Sequence, residues 1–403
     1  MPRSQPSLTT ILICSGLIVS LSMGIRHGFG FFLPPMTEAF HWNREVFAFA
    51  LGLQNLVWGA AQAFTGMLAD RYGARRVLII GALLYAAGLA LMTMSASGLA
   101  FAGSAGVLLG VALSGTTYSV VYGVIGRSFP ESKRSQAMGL AAAAGSFGQF
   151  LMVPTEQFMI SHLGWVNALL ILAMMALLIA PLSAGLYEPE RAGGTEENQQ
   201  SVGQALKQAI SYPSFLLLTA GYFVCGFQVV FIGVHLPAFL KDKGLPAETA
   251  SYALALIGLC NVLGTFVAGQ LGARVPKRLL LSGIYLARAV VIAIFISMPL
   301  SQLSVCLFAA TMGLLWLSTV PLTNGVVAQI FGVRYLSMLS GLVFFSHQIG
   351  SFLGVWLGGV LYDRTGSYDV VWQISIALGV FAAIINWPVK EHAIGQQAAV
   401  ATP

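Results

Sequence analysis

Charged side chains are scarce in this sequence: Asp, Glu, Lys and Arg together make up 8% of its 403 residues. Soluble domains contain roughly 25% charged residues, whereas 57% of this chain is hydrophobic. The shortage of charge excludes a soluble globular protein and predicts an integral membrane protein. The net charge of +6 is then explained by membrane topology and does not indicate nucleic-acid binding.

Cysteine is scarce as well, and several catalytic motifs are missing. The four cysteines lie in hydrophobic runs without a C-x-x-C pair or other ligand spacing, so we expect neither a disulfide framework nor a metal site. No G-x-S-x-G, H-E-x-x-H or P-loop sequence occurs, and the runs with ionisable residues lack a convergent acid and base. An enzyme is therefore not expected, and no cofactor is predicted.

Long hydrophobic runs are what the sequence has in abundance. Runs of about 20 residues, the length that crosses a bilayer core of roughly 30 Å, recur along the whole chain. Segments of about ten residues with alternating polarity, typical of barrel strands, do not. An all-α membrane protein is predicted. Its twelve predicted transmembrane spans are residues 10–36, 44–69, 76–96, 99–127, 135–162, 165–187, 212–240, 248–272, 279–298, 303–331, 335–361 and 368–388.

Lysine and arginine are distributed unevenly around these spans. Fourteen of the 20 flank the spans on one side, four, including Arg44, lie on the other, and Arg26 and Arg288 fall inside spans. Because cytoplasmic loops are enriched in Lys and Arg, both termini and the polar stretch at 188–208 are assigned to the cytoplasm. We expect a multi-pass protein of a bacterial inner membrane. Its predicted parts are a six-helix half at 1–187, a cytoplasmic linker at 188–211 and a second six-helix half at 212–403.

The two halves share a sequence pattern. Residues 129–150 align without a gap with residues 331–352, and the alignment matches two glycines and two phenylalanines. One deletion likewise aligns residues 66–81 with residues 269–283. Such internal similarity indicates a duplicated six-helix unit.

The sequence GMLADRYGARR, between spans two and three, resembles the loop signature of the major facilitator superfamily. The signature positions are Gly66, Asp70, Arg71, Gly73, Arg75 and Arg76. With the twelve spans and the repeat, the resemblance covers nearly the whole chain. It implies two pseudo-symmetric six-helix bundles, the major facilitator fold, which rock about a midplane site and expose it alternately to each side.

These loop residues are predicted to gate the cytoplasmic side. Gly66 would permit close helix contact, Gly73 would form the turn, and Asp70 would accept charge-assisted hydrogen bonds. The second half has Ala273 in place of the aspartate, so the latch is expected to be asymmetric. For the arginine pair at 75–76, enforcing topology alone is an equal alternative.

Two further stretches, GFGFFLPPMTEAFHW after span one and HQIGSFLGVWLGGVLYDRTGSYD from span eleven, resemble the monocarboxylate porter and oxalate/formate antiporter branch. This resemblance implies small organic carboxylates as substrates, moved with a proton or by exchange. Porters of that branch bind substrate with an arginine on helix eight, but span eight here has no charge, and its nearest polar residues are Asn261 and Thr265. The oxalate exchanger also has a cation on helix eleven, where this sequence has His347.

Arg26 lies near the middle of span one, in the glycine-rich stretch LSMGIRHGFGFFLPPM. An arginine at that depth costs roughly 2.5 to 3.5 kcal/mol on translocon scales, and no acidic residue is evident at the same depth. A carboxylate could accept two parallel hydrogen bonds from its guanidinium. We therefore predict that Arg26 binds an anionic substrate between the bundles. A single permanent cation favours a monocarboxylate over a dicarboxylate.

Polar residues on other spans are predicted to complete the site. Each could orient a carboxylate or hydroxyl, although taken singly each is more simply an interhelical hydrogen bond. They are Gln54, Asn55, Tyr118, Tyr122, Gln228, Asn261, Asn324 and His347. Arg288, in span nine, could add a second charge or instead pair with backbone carbonyls.

Two residues are candidates for proton coupling. His347 is one, because an imidazole is the side chain that most readily exchanges a proton near physiological pH. Glu156 could carry a proton, pair with Arg26 or simply reach water near the external end of its span, and the last is favoured. Proton symport and anion exchange both remain open, with symport preferred.

The alternative function is efflux of hydrophobic or cationic compounds, which a midplane arginine disfavours because like charges repel. A monomer is expected.

Overall fold

The computed structural model describes residues 6–186, 202–332 and 336–393. Within these ranges the regular elements are helices, and no strand is present. Apart from short 3₁₀ and π segments, the helices are α1 (Leu8–His27), α2 (Leu33–Phe40), α3 (Arg44–Tyr72), α4 (Ala74–Met92), α5 (Gly98–Phe101), α6 (Leu109–Thr116), α7 (Tyr118–Ser128), α8 (Glu131–Leu177), α9 (Ile179–Leu182), α10 (Val202–Ile210), α11 (Pro213–Asp242), α12 (Ala247–Leu271), α13 (Lys277–Ser297), α14 (Gln302–Leu315), α15 (Thr319–Phe331), α16 (Leu336–Thr365) and α17 (Asp369–Asn386).

Eleven helical segments of the described chain are long and apolar enough to cross a membrane. One of them, Gln136–Leu186, has 51 residues, about twice what one crossing needs. Gly164 interrupts this segment with a φ of 80°, a conformation that favours glycine, and the chain turns there between two crossings. Eleven segments with one internal break provide twelve crossings, so the predicted all-α fold of twelve spans is confirmed.

Three crossings are interrupted near mid-length, which hydropathy did not predict. α1 ends at His27 and continues through a 3₁₀ turn, Phe29–Phe32, into α2. α6 and α7 are separated at Thr117, and α14 and α15 at residues 316–318. Helix breaks free backbone groups from intrahelical bonding, and a membrane tolerates them only where they are buried or line a cavity. The breaks therefore mark the middle of the molecule as the place for a site.

Equivalent helices of the two halves cross in the same way. α1 packs on α8, and α11 packs on α16. Each crossing is made at a glycine: a Cβ on Gly148 would overlap the backbone carbonyl of Ser20, and one on Gly350 would overlap that of Phe223. Small residues let helices approach closely in a membrane. The repeat in the sequence thus corresponds to two bundles built alike.

The predicted linker at 188–211 falls mostly outside the described residues. Its described part forms α10, and α11 begins at Pro213, where a residue without an N–H group suits the first helical turn. The boundaries given above for the two halves remain a prediction. Here the N-terminal bundle means α1 to α9, and the C-terminal bundle means α11 to α17.

The two bundles meet where α3 packs on α16 and α8 packs on α12. They are also joined by ion pairs at the end of the molecule where α2, α11 and α16 terminate. Arg44 pairs with Asp242 at 2.7 Å, and Lys241 pairs with Glu38 at 2.7 Å. We call this end the closed end.

Candidate functional site

Arg26 lies in the last turn of α1, half-buried between the bundles. Its Nη2 group donates to Asn55 Oδ1 of α3, and its guanidinium carbon lies 5.0 Å from the centre of the Trp58 ring. The Nε group has no hydrogen-bond partner. Within the described residues Arg26 forms no ion pair with an acid. Its charge is therefore offset by one amide oxygen and one aromatic face.

Asn55 is held in place for this contact by its own helix. Its Nδ2 group donates to Leu51 O at 2.7 Å, which leaves Oδ1 to accept from Arg26. The neighbouring Gln54 donates to Ala105 O at 2.8 Å and so ties α3 to the segment that follows α5. Of the two predicted amides, Asn55 contacts the guanidinium directly, and Gln54 fixes the helix that presents it.

Tyr118 and Tyr122 lie one turn apart on α7, with ring centroids 5.4 Å apart. Tyr118 is close enough to Arg26 for the two side chains to interact electrostatically, and so is Tyr85 of α4. Sequence analysis missed Tyr85, whose hydroxyl donates to Ser22 O of α1 at 3.0 Å. A tyrosine inside a hydrophobic run is a weak signal, because most such residues only pack.

A cavity opens beside Arg26, and the two bundles contribute different chemistry to its wall. The charged, imidazole and amide side chains that line it come from the N-terminal bundle: Arg26, His27, Gln54, Asn55 and Gln149. The residues from the C-terminal bundle are Val229, Val230, Gly233, Val234, Leu254 and Trp316. Small-molecule sites are mostly apolar with a few placed polar groups, and this wall fits that description.

Three predicted site residues of the C-terminal bundle lie elsewhere. Gln228 is fully buried and donates to a backbone carbonyl of α17 at 2.9 Å. His347 packs between Tyr222 and Phe344, with ring centroids 4.9 and 5.9 Å away. Asn324 lies half-buried on α15. None of these three is among the described residues that line the cavity beside Arg26.

Arg288 and Asn261 hold the break between α14 and α15. Arg288 Nε and Nη2 donate to Leu315 O at 3.1 and 2.7 Å, and Nη2 also donates to Trp316 O. Asn261 Oδ1 accepts a hydrogen bond from Leu317 N at 2.9 Å. Of the two alternatives for Arg288, the structure shows pairing with backbone carbonyls. Carbonyl groups freed by a broken membrane helix need donors, but the sequence offers that signal only once the break is known.

Glu156, on α8, is fully buried in the N-terminal bundle. Neither carboxyl oxygen has a hydrogen-bond partner in the part of the chain that the structure describes, and a Cβ on Gly28 would overlap the carboxyl group. The expectation that Glu156 reaches water near the end of its span is therefore wrong. Its carboxyl group instead packs where α1 loses its α-helical bonding, two positions after Arg26.

The loop signature forms the turn between α3 and α4. Gly73 has a φ of 89°, and Asp70 pairs with Arg127 of α7, so this ion pair stays within the N-terminal bundle. Among the described residues the close helix contact expected at Gly66 is not found, since a Cβ there would meet none of their atoms within 4 Å. The remaining signature side chains are Arg71 and Arg76, both exposed, and Arg75, which is half-buried.

Arg44, which sequence analysis counted only as a topological charge, is the centre of a contact cluster at the closed end. Its guanidinium donates to both carboxyl oxygens of Asp242 at 2.7 Å and lies 3.7 Å from the centre of the Tyr362 ring. Asp363 accepts the backbone N–H groups of Arg44 and Glu45 at 3.1 and 2.7 Å. These contacts join α3 to α11 and α16. No local pattern marks such pairs, because the partners are about 200 or more positions apart.

Comparison with known proteins identifies the family. A family model described as the Major Facilitator Superfamily matches residues 12–354. The chain belongs to this superfamily. It is therefore a multi-pass membrane transporter and not an enzyme, as the sequence predicted.

Two relatives illustrate its place within the superfamily. The chain is 25% identical over 397 residues to the uncharacterized MFS-type transporter YcxA of Bacillus subtilis, covering 95% of this chain and 96% of the relative. It is 27% identical over 371 residues to monocarboxylate transporter 13 of Bos taurus, covering 88% and 83%. The expected resemblance to monocarboxylate porters is thus found over most of the transporter's length.

The fold also matches a solved structure. A bacterial homolog of the human lysosomal transporter Spinster, in an inward-facing and unoccupied conformation, superposes with a TM-score of 0.76 at 16% identity. The match covers 96% of this chain and 98% of the other. The identity is too low to transfer substrates, so this likeness supports the fold alone.

Proposed function

We propose that this transporter moves a small organic anion with a carboxylate group across the membrane by alternating access. Arg26 supports this proposal most directly. It is a guanidinium at the cavity between the bundles, and no acid of the described chain pairs with it. A carboxylate arriving in the cavity would supply the missing counter-charge.

The chemistry of Arg26 favours a carboxylate over other substrates. A guanidinium presents a planar fork that matches two carboxylate oxygens, and Asn55 already fixes one edge of that fork. Lipophilic cations are disfavoured, because two like charges repel strongly in a low-dielectric cavity. Efflux of cationic compounds therefore finds no support in this site.

The relatives agree with this substrate class. Monocarboxylate transporters 13 and 11 align with 87 to 90% of the chain at 26 to 27% identity. We extend their printed substrate class to this transporter as part of the proposal. The location proposed is a bacterial inner membrane with both termini in the cytoplasm, which follows from the distribution of lysine and arginine and places the closed end outside.

For coupling we propose proton symport, with anion exchange as the alternative. Two buried groups could carry the proton. Glu156 packs against α1 near Arg26, whereas His347 lies on α16 away from the cavity. Coupling requires the proton site to influence the substrate site. The position of Glu156 on the flank of the helix that holds Arg26 makes it the stronger candidate.

The test of the anion site measures uptake of radiolabelled butanoate into liposomes that contain the purified protein. The butanoate concentration that gives half-maximal uptake reports binding. Arg26→Gln removes the charge and is expected to weaken binding by about 2 kcal/mol or more, roughly thirtyfold, because two charge-assisted hydrogen bonds are lost. Arg26→Lys keeps the charge without the fork and should give an intermediate loss. Arg364→Gln, which removes an exposed arginine at the end of α16, is the matched control and should bind like the unmodified protein. Unchanged binding in folded Arg26→Gln would overturn the proposed site.

A further inference from the structure

The two bundles can be aligned residue by residue through equivalent contacts. In the N-terminal bundle the hydroxyls of Ser22 and Thr116 lie 2.9 Å apart; in the C-terminal bundle Cys225 Sγ lies 3.3 Å from the Thr319 hydroxyl. Both members of the first pair lie 203 positions before their counterparts. α1 is thereby aligned with α11, and the α6–α7 break with the α14–α15 break.

A second pair of contacts supports the same alignment. A Cβ on Gly24 of α1 would overlap Met152 of α8, and one on Gly354 of α16 would overlap Phe227 of α11. Gly24 and Phe227 again differ by 203 positions, while Met152 and Gly354 differ by the 202 positions of the sequence repeat. The glycine lies on the first helix of the crossing in one bundle and on the second helix in the other, but the crossing point is the same.

This alignment identifies the counterpart of the substrate-binding arginine. Arg26 is equivalent to Val229, which is also 203 positions away, and both residues line the same cavity. The counterpart of Glu156 is Gly358, where a Cβ would lie 3.2 Å from the Phe231 ring. Arg26 and Val229 are thus equivalent positions of a duplicated unit that line the same cavity, and only Arg26 is charged.

The wall around Val229 is predominantly apolar. Val230 and Leu254 extend it, and Trp316 closes it as part of the α14–α15 break. The backbone of that break is held by Arg288, which donates to Trp316 O. Arg288 is fully buried, and its guanidinium donates to carbonyl groups at the helix break. It therefore does not line the cavity.

We propose that this cavity selects anions with one charge and an apolar body, and that position 229 decides this selection. Arg26 would take the carboxylate, while Val229, Val230, Leu254 and Trp316 would take the hydrocarbon part. A second carboxylate beside Val229 would meet no cationic side chain on the wall that the C-terminal bundle contributes, so its desolvation would not be offset by a counter-charge. The inference rests on the proposed function, whose substrate class is already the monocarboxylates, and adds to it an apolar tail and the residue, Val229, that excludes a second charge.

The first test compares probes of equal carbon count on the purified full-length protein. Butanoate, butanedioate and butanamide are titrated, and the rise in melting temperature gives their affinities, since bound ligand stabilises the folded state. We expect butanoate to bind at least tenfold more tightly than butanedioate, and butanamide not to bind. From acetate to pentanoate, affinity should rise about fourfold per methylene as apolar surface is buried.

The second test changes position 229. Val229→Arg restores the equivalent of Arg26 and is expected to raise butanedioate affinity at least tenfold relative to butanoate. Val229→Leu is the matched control, which enlarges the side chain without charge and should keep the preference for butanoate. If Val229→Arg does not fold, Val230→Thr replaces a methyl group by a hydroxyl at similar size. That variant should reduce the affinity gain per methylene by about half.

The outcomes separate this inference from the proposed function. If butanoate and butanedioate both bind through Arg26 with equal affinity, or if affinity does not change with chain length, the proposed selection is wrong while the anion site stands. If no carboxylate raises the melting temperature of the unmodified protein, the proposed function itself fails. If Val229→Arg folds and still rejects butanedioate, position 229 does not decide selection.

Discussion

Glu156 is a carboxylic acid packed where nothing in the described chain donates a hydrogen bond to it. An ionised carboxylate buried without partners costs several kcal/mol, so losing the proton would disfavour the packing against Gly28. Tyr85 of α4 interacts with it electrostatically, and its carboxyl group packs against Gly28, which follows His27 and lies two positions after Arg26. Proton binding and the shape of α1 near Arg26 are therefore expected to depend on each other.

This dependence can be measured as a change in pH profile. Net uptake by a proton symporter rises as the external pH falls. Glu156→Gln should flatten that profile, while exchange of internal for external butanoate continues, because exchange needs no net proton movement. His347→Gln is the matched variant for the other candidate and should retain the profile. A flat profile in His347→Gln and a normal one in Glu156→Gln would assign the proton to the histidine instead.

Gly28 should be intolerant of a side chain for the same reason. Gly28→Ala places a Cβ on the Glu156 carboxyl group, and overpacking of this kind costs about 1 to 3 kcal/mol. We expect a lower melting temperature in detergent, largely restored by adding Glu156→Ala because the overlapping group is then gone. Gly283→Ala, where a Cβ meets nothing within 4 Å, should not be destabilised. Failure of the double variant to recover would mean that overlap with the Glu156 carboxyl group is not what makes Gly28→Ala costly.

At the scale of helices, the crossings of α1 with α8 and of α11 with α16 are limited by backbone atoms. A Cβ on Gly148 or Gly350 would overlap a carbonyl oxygen of the partner helix. A flexible side chain can move aside, but a helix backbone moves only with the whole element. The two crossings are therefore the fixed points on which each bundle is assembled.

Gly148→Ala and Gly350→Ala should thus be equally damaging. We expect each to lower stability by about 2 to 3 kcal/mol, the upper part of the range for overpacking, or to prevent assembly. Gly341→Ala, on α16, serves as the control, because no atom of the described residues lies within 4 Å of the added Cβ. Melting temperatures of the three variants in the same detergent decide the matter, and a stable Gly350→Ala protein would mean that α11 and α16 can separate without cost.

The sequence predicted the helices better than their breaks. Hydropathy identifies the spans because a helix must be apolar over a length set by the bilayer, and Gly164 separates spans five and six where predicted. The breaks at Thr117 and at residues 316–318 depend on tertiary hydrogen bonds, such as those from Arg288. Likewise, Arg26 could be found from its cost in the membrane, whereas the burial of Glu156 depends on how α8 packs on α1.

At the scale of the whole molecule, the Arg44 cluster holds the bundles together at the closed end. Arg44 and Asp242 are partly shielded, with 17% and 26% of their side chains exposed, whereas Lys241 and Glu38 are 54% and 70% exposed. Exposed ion pairs contribute about 0 to 1 kcal/mol, and bidentate arginine pairs contribute more. The two pairs at this end should therefore differ in how strongly they oppose opening.

Asp242→Asn tests this difference against Lys241→Gln. We expect Asp242→Asn to raise the population that is open at this end by about tenfold, equivalent to roughly 1.4 kcal/mol, and Lys241→Gln to change it by less than threefold. Distances between spin labels at positions 97 and 301, with the native cysteines replaced by serine, report the opening. Equal effects of the two variants would mean that the bidentate geometry of the Arg44–Asp242 pair adds no stabilisation beyond that of an exposed ion pair.

The polar groups of the cavity belong to one bundle, and this has a consequence for release. In the proposed mechanism the head of the bound anion stays with Arg26 when the bundles rock apart, while its tail loses the opposing wall. The strongest contact is then the same whichever face is exposed to water, so the dissociation constants on the two faces should be similar. Import and export should then reach half-saturation at similar anion concentrations, while the gradients of anion and proton set the net direction, as in any secondary transporter.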